Sequence, residues 1–455
     1  MTNSAVSQAQ GNTQIVTLAK DTAIALIIQA SGLALVYLLQ ISLAQWMGKT
    51  EYGIYEYIMS WSLLLAILAG LGLPRTILRL IPQYRVKNDW GRLHGIFRGS
   101  WVLTVLASCL LACIAAFALT VINDYHPFVY AVPLIYGMGL VLLQALATLQ
   151  QESARAMEDI PLAFIPSQII LPVLILCSGF LLWHRNGVLT SLRMIDVATV
   201  MFLVVLGFQF ALLWQKINRN FVSATPVYAY KEWLAVALVL LIQQASSQLL
   251  SQTDTVMIGS FMGPESTGVY NAAVKTSVWT SFVLQVVNMV AAPMFSSLYA
   301  QGNLLGLQRL VSCVTLWIFY PTIAIAFGLM ILAQPILGLF GPGFIAASWS
   351  LKILILGQLV NALCGSVGYL MIMTGHQNKS FKVIGCSALL NLGLNAILIP
   401  LFGIVGAAIA TSFSMMVWNI WLTHLVVKHV GVRPSIFYSL FQRDANSTPP
   451  TSEPS

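Results

Sequence analysis

The residues best placed to do chemistry are Arg75, Arg79, Arg155, Lys275, Asp254 and Glu56, which stand inside or at the ends of long apolar stretches. A charge at the centre of a membrane helix costs roughly 2.5–3.5 kcal/mol on insertion scales, so each ionisable residue there needs a reason. Arg presents a planar fork that takes phosphate or carboxylate oxygens in bidentate fashion, and Lys presents a point cation. Four cations of this kind would capture an anion electrostatically; they would make and break no bonds. Each also has a plainer reading. Arg75 and Arg79, four residues apart and so on one helix face, also fit a rule of topology. Arg155 has Glu152, Glu158 and Asp159 nearby to pair with. Lys275 and Asp254 could form a buried ion pair. Asp254 and Glu56 are the acids for ion coupling or pairing.

The elements that must position these residues are apolar. The chain has 455 residues, 58% of them hydrophobic and 8% charged, and its mean hydropathy is +0.83. A soluble domain carries about 25% charged residues, so this composition marks an all-α polytopic membrane protein. Twelve helices are predicted, at 22–46, 52–74, 97–122, 128–150, 161–183, 195–215, 233–259, 267–292, 307–332, 345–374, 380–400 and 404–427. The runs at 267 and 345 are longer than a crossing requires, which predicts tilt or an interfacial extension. Small residues inside the runs suit packed helices; barrel strands would alternate.

The expected organisation is a cytoplasmic segment (1–21), a six-helix lobe (22–217), a polar linker (218–232), a second six-helix lobe (233–427) and a cytoplasmic tail (428–455), disordered from Arg443 onward. The N-terminal stretch is polar and lacks the pattern of a cleaved signal peptide. On this plan 17 of the 22 Lys and Arg residues fall on the side of the termini and 3 on the other. Such a bias predicts that both termini are cytoplasmic. The net charge of +8 is then a belt facing anionic lipid headgroups and no sign of nucleic-acid binding.

A short pattern occurs twice. Met47, Gly48, Gly53 and Tyr55 recur as Met262, Gly263, Gly268 and Tyr270, and the same offset carries Asn88 onto Asn303 and Gly91 onto Gly306. Two homologous halves with an even number of helices would be parallel repeats, the build of a transporter. The four repeated glycines suit tight turns at the outer face, and Tyr52, Tyr55, Tyr57 and Trp61 suit the aromatic belt there. Gly406 and Ala410, four apart, would let two backbones approach closely.

These motifs also carry a resemblance. Gly375-His-Gln-Asn-Lys379, Asn391-Leu-Gly-Leu-Asn395 and the run from Ile399 to Thr411 resemble the C-terminal region of bacterial polysaccharide flippases. Ile336 to Phe344 resembles the loop before their tenth helix, and the Met-Gly-x4-Gly-x-Tyr repeats resemble the turns after their first and seventh. The chain is identified as a member of the Wzx-like O-antigen and polysaccharide transporters, within the multidrug/oligosaccharidyl-lipid/polysaccharide exporter superfamily. The resemblance implies two six-helix lobes in a V and transfer of a lipid-linked oligosaccharide, a polyprenyl-pyrophosphate glycan, from the inner to the outer leaflet of the cytoplasmic membrane. It implies as partners that glycan, membrane lipids and other polysaccharide assembly proteins, with no nucleic acid and no cofactor. Arg75, Arg79 and Arg155 would then receive the pyrophosphate at the cytoplasmic mouth, and Lys275 would attract it deeper in.

Other chemistry is weakly supported. The cysteines at 109, 113, 177, 313, 364 and 386 lie within the spans at no metal-ligand spacing and read as small packing residues. No Gly-rich loop with Lys-Ser/Thr provides for nucleotide hydrolysis. A drug/cation antiporter of the same superfamily would favour an acidic path, yet the acids within helices are few: Glu56, Asp254 and Asp196. A lipid II-type flippase would be expected to have two further helices. A polysaccharide polymerase would need large outer loops with catalytic residues, and the largest here, at 184–194, holds no carboxylate pair. The expected activity is therefore non-enzymatic.

Overall fold

A computed structural model describes residues 2–434 and 436, except 126 and 223. The tail from Arg443 onward, expected to be disordered, lies outside the described residues. Every regular element among them is helical: α1 (Thr2–Ala69), α2 (Leu73–Val86), α3 (Trp90–Tyr125), α4 (Ala131–Ala156), α5 (Ile160–Ile165), a π-helical turn (Pro166–Ile170), α6 (Leu171–Asn186), α7 (Ser191–Asn220), α8 (Tyr230–Met262), α9 (Pro264–Ala300), α10 (Leu304–Ile331), α11 (Ala333–Gly338), a 3-10 turn (Pro342–Ala347), α12 (Ser348–Cys364), α13 (Val367–Met373) and α14 (Gln377–Val430). Among the described residues, ten helical segments are long and apolar enough to cross a membrane. The chain divides into two compact units, Met1–Gly268 and Val269–Ser455.

Two of the ten segments fold back on themselves. In α1 the reversal falls at Gly48, whose φ of 74° and ψ of 170° are non-helical. The Tyr52 hydroxyl donates to Gln40 Oε1 at 2.7 Å. Residues twelve apart in a straight helix would stand about 18 Å apart along the axis, so the two legs run side by side. In α14 the reversal falls at Gly403, with φ 60° and ψ −141°. Asn391 Nδ2 donates to Thr411 Oγ1 at 3.1 Å across that turn, and Gly406 faces the Leu398 carbonyl so closely that a Cβ would sit 2.0 Å from it. The small-residue run from Gly406 to Ala410 thus serves the close approach its spacing predicts.

The structure corrects several boundaries. The predicted span 52–74 ends at Ala69, and Arg75 and Arg79 belong to the separate amphipathic α2. Leu71 and Gly72 both take positive φ, 51° and 72°, and Pro74 opens the new helix. One face of α2, with Leu73, Ile77, Leu80, Ile81 and Tyr84, is buried against α3, α4 and α8. The predicted span 345–374 is broken at Gly365, where φ is 69° and a Cβ would meet Thr315 Oγ1 at 2.7 Å. Pro166, lacking an N–H, begins the π-helical turn inside the predicted fifth helix.

The repeated glycines divide their labour. Gly48 and Gly263, with φ of 74° and 85°, make the turns expected of them. Gly53 and Gly268 do not turn the chain; they sit inside helices and pack against each other's segment. A Cβ on Gly53 would lie 1.8 Å from the Pro264 carbonyl oxygen, and one on Gly268 would lie 2.3 Å from that of Lys49. The Lys49 ammonium pairs with Glu265 at 2.5 Å beside this contact. Tyr52, Tyr55 and Tyr57 are buried here and are not exposed as an interfacial belt. Tyr57 stacks on Tyr130 with ring centroids 4.0 Å apart, and its hydroxyl meets Ser260 Oγ at 3.1 Å.

The core of the first unit gathers α2, the start of α3, the end of α4 and Trp233 of α8, whose indole N–H donates to the Tyr84 hydroxyl at 3.1 Å. The connection at 221–229 lies along α3: Val227 N–H donates to the Gly91 carbonyl at 2.9 Å. Gly95 has no side chain to obstruct it, since a Cβ would sit 1.9 Å from the Val227 oxygen. The second unit has its own core around Phe295, Leu307, Val311, Leu370 and Val426.

Candidate functional site

The amphipathic pattern of α2 decides where its arginines point. The apolar face is consumed by packing, so Arg75 and Arg79 stand exposed on the other face, and neither forms an ion pair among the described residues. Arg155, near the end of α4, is differently placed. Its Nη1 donates to both carboxylate oxygens of Glu152 at 2.9 Å, and its guanidinium stacks over Phe164 at 5.8 Å. The Glu152 side chain is 9% exposed. The pairing named in the sequence as the plainer reading of Arg155 is the geometry observed.

The three arginines are spread along one layer and do not converge on a point. Arg85, near the end of α2, lies 3.7 Å from Glu158, so the turn after α4 meets the far end of α2. Arg79 and Arg75 stand about 9 and 15 Å back from Arg85 along the helix axis. A ligand touching all three would have to be extended.

The remaining ionisable groups lie inside long apolar helices. Glu56 is 3% exposed, in the second leg of α1. Asp254, 6% exposed, lies eight residues, about 12 Å, before the end of α8. Lys275 stands about three turns into α9, half-buried, with Asn271 one turn before it and Thr276 beside it, both buried. Asp254 falls in the first compact unit and Lys275 in the second.

The profile of the family described as Polysaccharide biosynthesis protein matches residues 18–299, more than half of the chain. The chain belongs to this family. The profile of a second family, MatE, matches residues 240–397. Among proteins similar to this member, an uncharacterized membrane protein of Methanocaldococcus jannaschii is 24% identical over 86% of this chain and 81% of its own. The Probable low-salt glycan biosynthesis flippase Agl15 of Haloferax volcanii is also 24% identical, over 55% of this chain and 54% of its own. Two solved structures share the fold. An inward-facing multidrug resistance MATE family transporter of the MOP superfamily aligns with a TM-score of 0.69 at 14% identity, covering 93% of this chain and 100% of that one. The lipid II flippase MurJ in an inward closed conformation aligns with a TM-score of 0.66 at 17% identity, over 95% and 93% of the two chains. The chain is thus a polytopic all-α member of the multidrug/oligosaccharidyl-lipid/polysaccharide exporter superfamily, a multi-pass membrane transporter rather than an enzyme.

Besides these charged residues, α8 carries a polar stretch that the charges alone do not reveal. From Gln243 to Asp254 nine of twelve residues are polar, inside a helix apolar enough to cross a membrane. Gln244, Gln248 and Gln252 fall four apart, on one face, and each is half-exposed. Their side-chain amides have no protein hydrogen-bond partner among the described residues, whereas the hydroxyls of Ser246 and Ser251 turn back to their own helix. The spacing of the glutamines was the available signal. Five of the six cysteines are exposed on the helix surfaces, so they are not the packing residues expected, and no metal-ligand group occurs among the described residues.

Proposed function

We propose that this protein moves a lipid-linked oligosaccharide, a polyprenyl-pyrophosphate glycan, from the cytoplasmic to the outer leaflet for cell-surface polysaccharide biosynthesis. The observation that carries the reading is the family match over residues 18–299. Physical chemistry supports it twice. Arg75 and Arg79 offer free guanidinium forks to a pyrophosphate, and Lys275 offers a cation within the membrane-spanning part of α9. The amides of Gln244, Gln248 and Gln252 offer uncommitted donors and acceptors to sugar hydroxyls. Polar side chains of this kind within a membrane helix face a water-filled path or the protein interior. Arg155 is paired with Glu152 and reaches the ligand only at the cost of that pair. Counting the folded-back α1 and α14 as two crossings each, the ten segments make twelve, an even number that leaves both termini on one side; the excess of Lys and Arg favours the cytoplasmic side of an inner membrane. Other polysaccharide assembly proteins would supply and consume the glycan.

Export of a drug or other cation is the second reading, favoured by the MatE match over 240–397. Within that interval the only carboxylates are Asp254 and Glu265, and Glu265 is engaged with Lys49. A cationic substrate would find a single acid there, which favours the anionic ligand. In cells lacking the protein, lipid-linked glycan should accumulate in the inner leaflet while drug sensitivity stays unchanged. Normal surface glycan with raised drug sensitivity would reverse the ranking.

A further inference from the structure

The reversal at Gly403 brings both ends of α14 to one end of the second unit. There His376, which precedes the helix, and His429, in its last turn, stack with ring centroids 5.6 Å apart and planes at 10°. Lys379 Nζ lies 2.9 Å from His429 Nε2. An ammonium has no acceptor, so it is the donor, and this nitrogen of His429 must be unprotonated. Lys379 keeps two further N–H donors. His376 Nδ1 meets Thr374 Oγ1 at 3.2 Å, and the Tyr299 ring stands edge-on to His376 at 6.5 Å. Lys382, one turn on from Lys379, and Lys428, beside His429, are both exposed.

No acid among the described residues of the second unit balances this cluster. Between Glu265 and Asp444 the sequence contains neither Asp nor Glu, so the described part of the second unit has no carboxylate side chain. Three lysines and two imidazoles therefore share one end of the hairpin without a countercharge from the described part of their own unit. The first turn of α14 adds the positive end of a helix, which favours an anion. The cluster stands at the ends of two legs long enough to cross a membrane, the level at which lipid headgroups lie.

We propose that Lys379, His376 and His429, flanked by Lys382 and Lys428, bind a phosphate-bearing anion at this end of the second unit. Its chemistry is a phosphomonoester or phosphodiester group, carried by an anionic membrane lipid or by a soluble phosphate compound. Lys379 and the imidazole N–H groups hydrogen-bond its oxygens, and the flanking lysines supply longer-range attraction. The site uses none of the residues assigned to the transported glycan and stands whether or not that assignment does.

The test is thermal unfolding of the purified full chain in mixed micelles, with phosphatidylglycerol titrated against phosphatidylcholine and, separately, with inorganic phosphate. The expected result is a melting temperature that rises with phosphatidylglycerol. In the Lys379→Gln/His429→Gln protein the apparent affinity should fall at least about five-fold, the size expected for losing one basic group at a membrane surface. Should that variant fail to fold, Lys382→Gln/Lys428→Gln, altered only at exposed positions, should lose affinity by a similar factor. Stabilisation by phosphatidylglycerol alone assigns a lipid headgroup, and stabilisation by both ligands assigns a site open to soluble phosphate. No stabilisation by either, or an equal loss of affinity on neutralising Lys352, at the start of α12 and so at the far end of that helix from Gly365 and Pro434, would overturn the proposal.

Discussion

Gly53 and Gly268, the second glycines of the two repeated segments, lie backbone against backbone. A Cβ on Gly53 would come within 2.8 Å of the Gly268 nitrogen, and one on Gly268 within 3.0 Å of the Gly53 nitrogen. The contact is reciprocal in detail. Each glycine faces the carbonyl four residues before the other, Pro264 for Gly53 and Lys49 for Gly268, and those two residues correspond at the offset of the repeat. A duplicated segment has here become its own packing partner.

Backbone atoms cannot rotate out of the way as a side chain can. Gly53→Ala and Gly268→Ala should each destabilise the protein by about 1–3 kcal/mol, the usual cost of overpacking. Gly207→Ala, where an added Cβ meets nothing within 4 Å, is the control and should leave unfolding unchanged. Thermal unfolding of the three proteins in one detergent decides it. Equal melting temperatures would mean that the two segments do not hold this contact.

Arg155 and the α2 arginines should separate by stability. Arg155→Gln leaves Glu152 buried without its partner, and because the arginine is partly exposed the cost should be about 1–2 kcal/mol. The Glu152→Gln/Arg155→Gln protein should recover most of it. Arg75→Gln/Arg79→Gln, altered only on an exposed face, should fold normally and lose glycan export. Lys at both positions should restore export in part, because it keeps the charge and loses the fork. Normal export by the double Gln protein would leave these arginines with a topological role alone.

The glutamine stripe gives a prediction that charge cannot mimic. Gln248→Leu should keep the helix apolar and the protein abundant, yet reduce export of the sugar-bearing lipid. If the amides only solvate the helix, the variant should export normally, as measured by surface glycan against protein level.

Topology can be read with single cysteines in a cysteine-free background. The proposed arrangement places Asn88 and Gly375 in the cytoplasm and Asn123 and Gly341 outside. An impermeant thiol reagent should label the latter pair alone in intact cells. Labelling of a cysteine at position 88 would invert the topology.

Much of this was legible in the residues, and the rest was not for definite reasons. Helix length and hydropathy place the spans because a membrane leaves the backbone few alternatives. The turn at Gly48 was legible because a small residue separates two apolar runs. The independence of α2 was not: the apolar run continues past Ala69, and only the left-handed Leu71 and Gly72 break it. The tyrosines at 52, 55 and 57 read as interfacial because sequence gives their depth along the helix and not their neighbours. Arg155 with Glu152 is a local pair, three residues apart, and was visible as an alternative. His376 and His429 are joined only by the reversal at Gly403, which a sequence pattern does not reveal.

The central claim is transfer of a lipid-linked glycan between leaflets, and reconstitution tests it most directly. Purified protein is placed in sealed liposomes with a fluorescent polyprenyl-pyrophosphate oligosaccharide, and the accessible fraction is followed with a membrane-impermeant quencher. The account predicts transfer by the unmodified protein well above protein-free liposomes, abolished or strongly slowed in the Lys275→Gln protein. Transfer no faster than in protein-free liposomes, by protein that is folded and correctly inserted, would contradict it.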